Sequence, residues 1–280
     1  MTKRGRTALL VTAAVLISAC SGGATPGGLL DVVTKAGTIR VSTDPQYPPQ
    51  SQLKDDGTFE GFDIDVANEI AKRMGLKAEF VTPDWSVITA GGWSGRWDMS
   101  VGSMTVTSPR QKVLDFSPPY YYTPAQMAAS TSSGITTLDG LAGKTVCVGE
   151  ATTYLDWLNG TLDFGTESPQ TKAPAGVIPV TQTTDRLCAE AWKAGRNDWQ
   201  GWLSSSTTVD QAIADGLPLV KVGDPVYHEP LAVALDRSGP DTKDFLAKLT
   251  EAVNAMHADG TLSSFSNKWF GFDLTKKQGG

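Results

Sequence analysis

The sequence predicts an α/β fold in two lobes, each a sheet flanked by helices, and three observations carry that prediction. A strand–helix–strand unit opens the body of the chain, a second such unit lies near its middle, and two apolar-striped helices close it. Taken in order, residues 38–42 alternate as a strand and run into Asp44-Pro45-Gln46-Tyr47-Pro48-Pro49, a loop by its prolines. Asp55-Asp56-Gly57 marks a tight turn. Over 63–74, Ile64, Val66, Ala67, Ile70, Ala71 and Met74 recur at helical spacing and Gly75 ends the helix; 77–81 form the next strand. The second unit starts with a strand at 143–148. It continues through a helix near 152–158, a strand near 177–180 and a helix over 184–194. A last helix over 242–256 places Phe245, Leu246, Leu249, Val253 and Met256 on one stripe. A turn at Asp259-Gly260 then leads to Leu262, Phe265, Trp269 and Phe270, a tail expected to return to the first lobe. Trp93, Trp97, Trp199 and Trp202 are assigned to the core.

The N-terminus predicts export. Lys3, Arg4 and Arg6 precede an apolar run that ends at Ala19, well short of the ~20 apolar residues that span a bilayer. Residues 1–19 therefore form a signal peptide. Ile17-Ser18-Ala19-Cys20 resembles a lipobox, in which the cysteine is lipidated and becomes the first mature residue. Residues 20–28 are rich in Gly, Ser and Pro and make a flexible tether. One acyl chain anchors only marginally, at about 0.8 kcal/mol per buried CH₂, whereas several on one cysteine hold stably. The expected product is lipid-anchored to the cell membrane and faces the periplasm or the exterior. Loss of three basic residues with the signal takes the formal charge from −6 to −9. An acidic body argues against nucleic-acid binding. His228 and His257 lie far apart with no ligating cluster, so no metal site is expected. With Cys20 lipidated, Cys147 and Cys188 remain; in an exported protein they are expected to pair, two buried thiols being the alternative.

Five segments in order carry a resemblance over most of the chain. They are Gly37-Thr38-Ile39-Arg40-Val41-Ser42-Thr43-Asp44 with Pro48-Pro49, then Gly61-Phe62-Asp63-Ile64-Asp65-Val66-Ala67, then Gly102-Ser103-Met104-Thr105-Val106-Thr107 ending in Arg110. Asp115-Phe116-Ser117-Pro118-Pro119-Tyr120-Tyr121 follows, and Asp259-Gly260-Thr261 with Lys268-Trp269-Phe270-Gly271 closes the series. In these the chain resembles the family 3 periplasmic solute-binding proteins of polar amino acid transporters. The resemblance implies the two-lobed periplasmic-binding-protein-like fold with two hinge crossovers. Lobe 1 would comprise 29–121 and 229–280, and lobe 2 would comprise 122–228, with hinges near 121–124 and 226–230. It implies a monomer that needs no cofactor, captures an amino acid or amino-acid derivative in the inter-lobe cleft, and delivers it to an ABC transporter permease.

By the same resemblance Arg110, with Ser103 and Thr105, clasps a ligand carboxylate, as a rigid guanidinium fork suits. A surface arginine paired with Asp115 is the plainer alternative. Thr152 and Thr153 open a helix whose N–H groups favour an anion, or serve as its cap. Asp44 ends the first strand and matches the family acid that meets a cation, while Tyr47 and Trp85 match the aromatic pair that sandwiches the ligand. The family aspartate for the ligand amine is expected after Gly195-Arg196-Asn197-Asp198, where Ser205 stands instead; either the register is slipped, or Asp44 and Glu150 carry that charge, or the ligand is not a standard α-amino acid. Gln50 occupies a position that is usually aromatic. Cys147 and Cys188 fall on neighbouring elements of lobe 2. Rival readings are a cyclohexadienyl-dehydratase-like enzyme, with Glu150 as its acid, and a ligand-sensing subunit.

Overall fold

A computed structural model describes residues 27–165, 169 and 171–277; the signal peptide, Cys20 and the tether up to residue 26 lie outside the described residues. The elements are α1 (Leu29–Ala36), β1 (Thr38–Ser42), β2 (Gln46–Tyr47), β3 (Ser51–Leu53), β4 (Phe59–Glu60), α2 (Phe62–Arg73), β5 (Lys77–Val81), α3 (Trp85–Thr89), β6 (Met99–Thr105) and β7 (Leu114–Phe116). Then come β8 (Tyr121–Ser130), β9 (Thr145–Gly149), α4 (Thr153–Leu158), β10 (Ile178–Gln182), α5 (Arg186–Lys193), β11 (Gly201–Ser205), α6 (Ser206–Ala214), β12 (Leu219–Lys221), β13 (Tyr227–Asp236), α7 (Lys243–Ala258) and α8 (Thr261–Phe270).

The main sheet runs β10-β9-β11-β8-β13-β6-β1-β5, with β12 on β8 and β7 on β13. Its two ends are parallel, β1 on β5 and β9 on β10, as strand–helix–strand units require. The middle is antiparallel. The long strands β8 and β13 pair over Tyr121–Ala125 against Tyr227–Leu231, and each then continues into a different half of the sheet. β8 goes on to pair β11, and β13 goes on to β6 and β7. Two chain crossings thus join two sheet halves, the topology of a two-lobed α/β fold.

Each half has its own core. Phe62, Ile70, Phe245, Leu249 and Met256 cover the β1–β6 half, so the C-terminal helices do return to it. The β9–β11 half is covered on one face by Tyr154, Trp157 and Leu158 and on the other by Trp192, Trp199 and Trp202. Trp93 and Trp97 fill a separate cluster under α3. Cys147 on β9 and Cys188 on α5 form a disulfide inside the Trp192 cluster, with Cα atoms 5.7 Å apart.

Three features differ from the sequence reading. The loop at 44–49 contributes a short strand to a separate sheet, β2-β3-β4. Helices α1, α3 and α6 add to the expected set. Finally, β6 bulges where it meets β13: between Ala232 and Ala234 the register slips, and Ser103 takes φ +54 there. Such a bulge turns side chains out of the alternation, here toward the groups described next.

Candidate functional site

A cleft lies where the two halves meet. It brings together Asp44, Tyr47, Trp85, Ser103, Thr105, Arg110, Thr152 and Thr153 of the expected set. Glu150 and Ser205 do not line it. Glu150 accepts a hydrogen bond from Ser86 Oγ (3.2 Å), and Ser205 caps α6 by accepting from the Thr208 N–H (3.2 Å). The cleft also includes Tyr154, Asp185 and Glu229, which the sequence reading did not select.

Arg110 follows β6 in a single turn of 3-10 helix and is 7% exposed. Its Nη1 donates to the Thr105 carbonyl (3.0 Å) and its Nη2 to the Ala151 carbonyl (2.8 Å), a bond that crosses the cleft. Asp115, the alternative partner, pairs with Arg237 instead. Among the described residues no carboxylate forms an ion pair with Arg110. Burial pulls its pKa down, against the attraction of Asp156 and Glu229. The guanidinium lies over the Trp85 ring, 5.5 Å from its centroid, so Trp85 steadies Arg110 as well as bordering the cleft. The indole N–H of Trp85 and the hydroxyl of Thr184, both in the cleft, are buried without a partner among the described residues.

The hydroxyl protons tell a different story. Thr105 Oγ1 donates to Glu229 Oε1 (2.7 Å), Thr153 Oγ1 donates to the same oxygen, and Tyr154 Oη donates to Oε2 (3.0 Å). Ser103 Oγ donates to Asp63 Oδ2 (2.7 Å), and Thr152 Oγ1 to the Gly149 carbonyl (2.7 Å). A hydroxyl has one proton. All four expected hydroxyl ligands have committed theirs to protein acceptors and present lone pairs to the cleft. Donation to a carboxylate therefore falls to Arg110, the Trp85 indole N–H, the Thr184 hydroxyl and main-chain groups.

Acids dominate the rest. Asp185 precedes α5 without capping it; its Oδ2 accepts from Ser204 Oγ (2.5 Å). Burial raises its pKa to about 7, helped by the repulsion of Asp44 and Glu229 and opposed by Ser204. Asp44 accepts from the Gln46 N–H (2.7 Å) and is raised by burial to about 6. Behind the bulge Asp63 is raised by burial to about 7, although Tyr120 and Ser103 both donate to it. Burial also raises Glu229, against its three hydroxyl donors and Arg110. One buried cation among several buried acids suits a ligand that carries both a carboxylate and one or more cationic or N–H groups.

The family model for bacterial extracellular solute-binding proteins, family 3, matches residues 39–272. The L-cystine-binding protein TcyJ of Escherichia coli (strain K12) is 32% identical over 89% of this chain and 88% of its own length. The lysine/arginine/ornithine-binding periplasmic protein of the same organism is 29% identical over 85% and 89%. Among solved structures, the ancestral amino acid-binding protein AncCDT-1, a precursor of cyclohexadienyl dehydratase, superposes with a TM-score of 0.72 at 28% identity, covering 86% of this chain and 99% of that one. An ancestral arginine-binding protein bound to arginine gives 0.72 at 27% identity, with coverages of 84% and 98%. No helix among the described residues is long and apolar enough to cross a membrane. With the two-lobed fold, the cleft and a match over most of its length, the chain belongs to the bacterial extracellular solute-binding proteins, family 3.

Proposed function

We propose that this protein is the capture component of an ABC importer for an amino acid or amino-acid derivative, tethered outside the cell through a lipidated Cys20. The observation that carries the reading is Arg110, a buried guanidinium with no ion-pair partner among the described residues, in one cleft with Asp185 and Asp44. A zwitterion meets both needs. Its carboxylate goes to Arg110, and its ammonium to Asp185, with Asp44 open to a further cationic or polar group. In this reading Asp185 takes the amine-binding role that the sequence reading assigned to Asp44 and Glu150. The relatives' names, which specify cystine and basic amino acids, fit such a cleft. Lobe boundaries at 29–121 with 229–280, and 122–228, accord with the β8–β13 crossing, about which the lobes would close on the ligand and present a new surface to the permease.

The test is a thermal-shift screen of the protein against amino acids, opines, polyamines and betaines. Stabilisation by α-amino acids, lost in Arg110→Ala, is the expected result; stabilisation confined to compounds without a carboxylate would refute it. The enzyme reading loses Glu150, which does not line the cleft, although Asp44, Asp185 and Glu229 remain as acids there. Product formation from a bound candidate would nevertheless overturn the transport reading. Labelled fatty acid on the protein, absent after Cys20→Ala, tests the anchor.

A further inference from the structure

Gln50 and Ser205, the two positions at which the sequence departs from the family pattern, are hydrogen-bonded to each other across the two halves of the molecule. Gln50 is fully buried on the loop between β2 and β3. Its Nε2 donates to Ser205 Oγ (3.0 Å) and Thr207 Oγ1 (2.7 Å), and its Oε1 accepts from Thr208 Oγ1 (3.2 Å). All three hydroxyls sit at the start of α6, each at most 5% exposed. None of the four residues lines the ligand cleft.

Both sides of this contact are held rigidly. The Gln50 carbonyl accepts the Asp63 N–H at the first turn of α2 (2.9 Å). Gly61 makes that docking possible: at φ +134, a Cβ there would fall 2.2 Å from the Gln50 oxygen. On the other side Ser205 is fixed as the cap of α6, which packs on the crossing strand β8. A buried amide with both donors and its oxygen satisfied is a complete network, and it exists only while the two halves are together.

We infer that Gln50 and the Ser205–Thr207–Thr208 hydroxyls form a ligand-independent latch, with Gln50 a positioning residue that sets affinity without touching the ligand. Apparent affinity scales with the fraction of protein in the binding-competent, closed arrangement. Opening returns the four side chains to water, so the latch biases closure modestly and by the same amount for every ligand. Its loss lowers affinity by about tenfold, the scale of one or two net hydrogen bonds.

The experiment compares full-chain wild type with Gln50→Leu, Thr207→Val and the double variant, using each amino acid that stabilises wild type. The expected result is one common fold-loss in affinity across ligands, expressed as faster dissociation, with the double variant no weaker than either single variant. A loss that differs between ligands, an additive double variant, or unchanged affinity would overturn the latch. The affinity arm rests on the proposed binding function; a second arm does not. Inter-lobe distances in ligand-free protein, by double electron–electron resonance, should show a smaller closed fraction in Gln50→Leu with an unchanged melting profile, and an unchanged distribution overturns the inference. Should wild type bind no amino acid, the proposed function fails and this second arm alone decides the latch.

Discussion

The ligand cleft and the Gln50 contact are both buried polar joins between the same two halves, yet their chemistry is opposite. In the Gln50 contact every donor and acceptor of the amide has a protein partner and no group is charged. In the cleft Arg110 has carbonyl partners but no counter-ion among the described residues, and Asp185 is raised by burial to about 7. Neutral, satisfied groups are inexpensive to bury, whereas unmatched charges are costly unless something pairs them. The difference separates a structural join from the one to which the proposed function assigns recognition.

The comparison can be broken most severely at Arg110. Arg110→Ala should cost about 3–5 kcal/mol of ligand binding, more than a hundredfold in Kd, because a ligand carboxylate would be buried without its partner. Calorimetric titration measures it, and the variant's melting curve should remain cooperative. Next is the disulfide, which ties α5, and with it Asp185, to β9. Cys147→Ser/Cys188→Ser should lower unfolding stability by about 2–4 kcal/mol in denaturant titrations, since a loop of 41 residues is released. Asp185→Asn follows, with a loss of about 1.5–3 kcal/mol for ligands that carry an ammonium and none for analogues that lack it.

A smaller effect comes from pH, with opposite signs for stability and binding. Asp44, Asp63 and Asp185 are raised by burial from 3.8 to about 6, about 7 and about 7. Between about pH 4 and pH 7 the folded protein therefore holds protons that the unfolded chain has released. Ligand-free stability should fall as pH rises through that window. Binding an ammonium requires ionised Asp185, so affinity should rise over the same window. Melting temperatures and Kd values from pH 5 to 8 check both; parallel trends would contradict the assignment of Asp185.

Much of this was legible in the sequence, and the failures have physical causes. Periodicity gave α2 and α7 because each turns one apolar stripe to a single core. Arg110 stood out through its motif. Asp185 escaped because an acid just before an apolar helix looks like a cap; the structure gives its side chain no capping bond and turns it to Ser204. The family pattern points to an acid after Gly195, whereas Asp185 lies one helix earlier, ahead of α5. Glu229 left a clearer trace, a carboxylate just ahead of the apolar run Leu231–Leu235 of β13, of the kind that burial normally excludes. The direction of hydroxyl protons, which reassigns Ser103, Thr105 and Thr153, depends on acceptors distant in the chain and is invisible to local pattern.

The most direct measurement is the affinity of wild type and Arg110→Ala for the best-bound amino acid and for its α-carboxamide. Wild type should prefer the free carboxylate by more than a hundredfold, and the variant should lose that preference. Equal affinity of wild type for acid and amide, or a preference that survives in Arg110→Ala, would contradict the account.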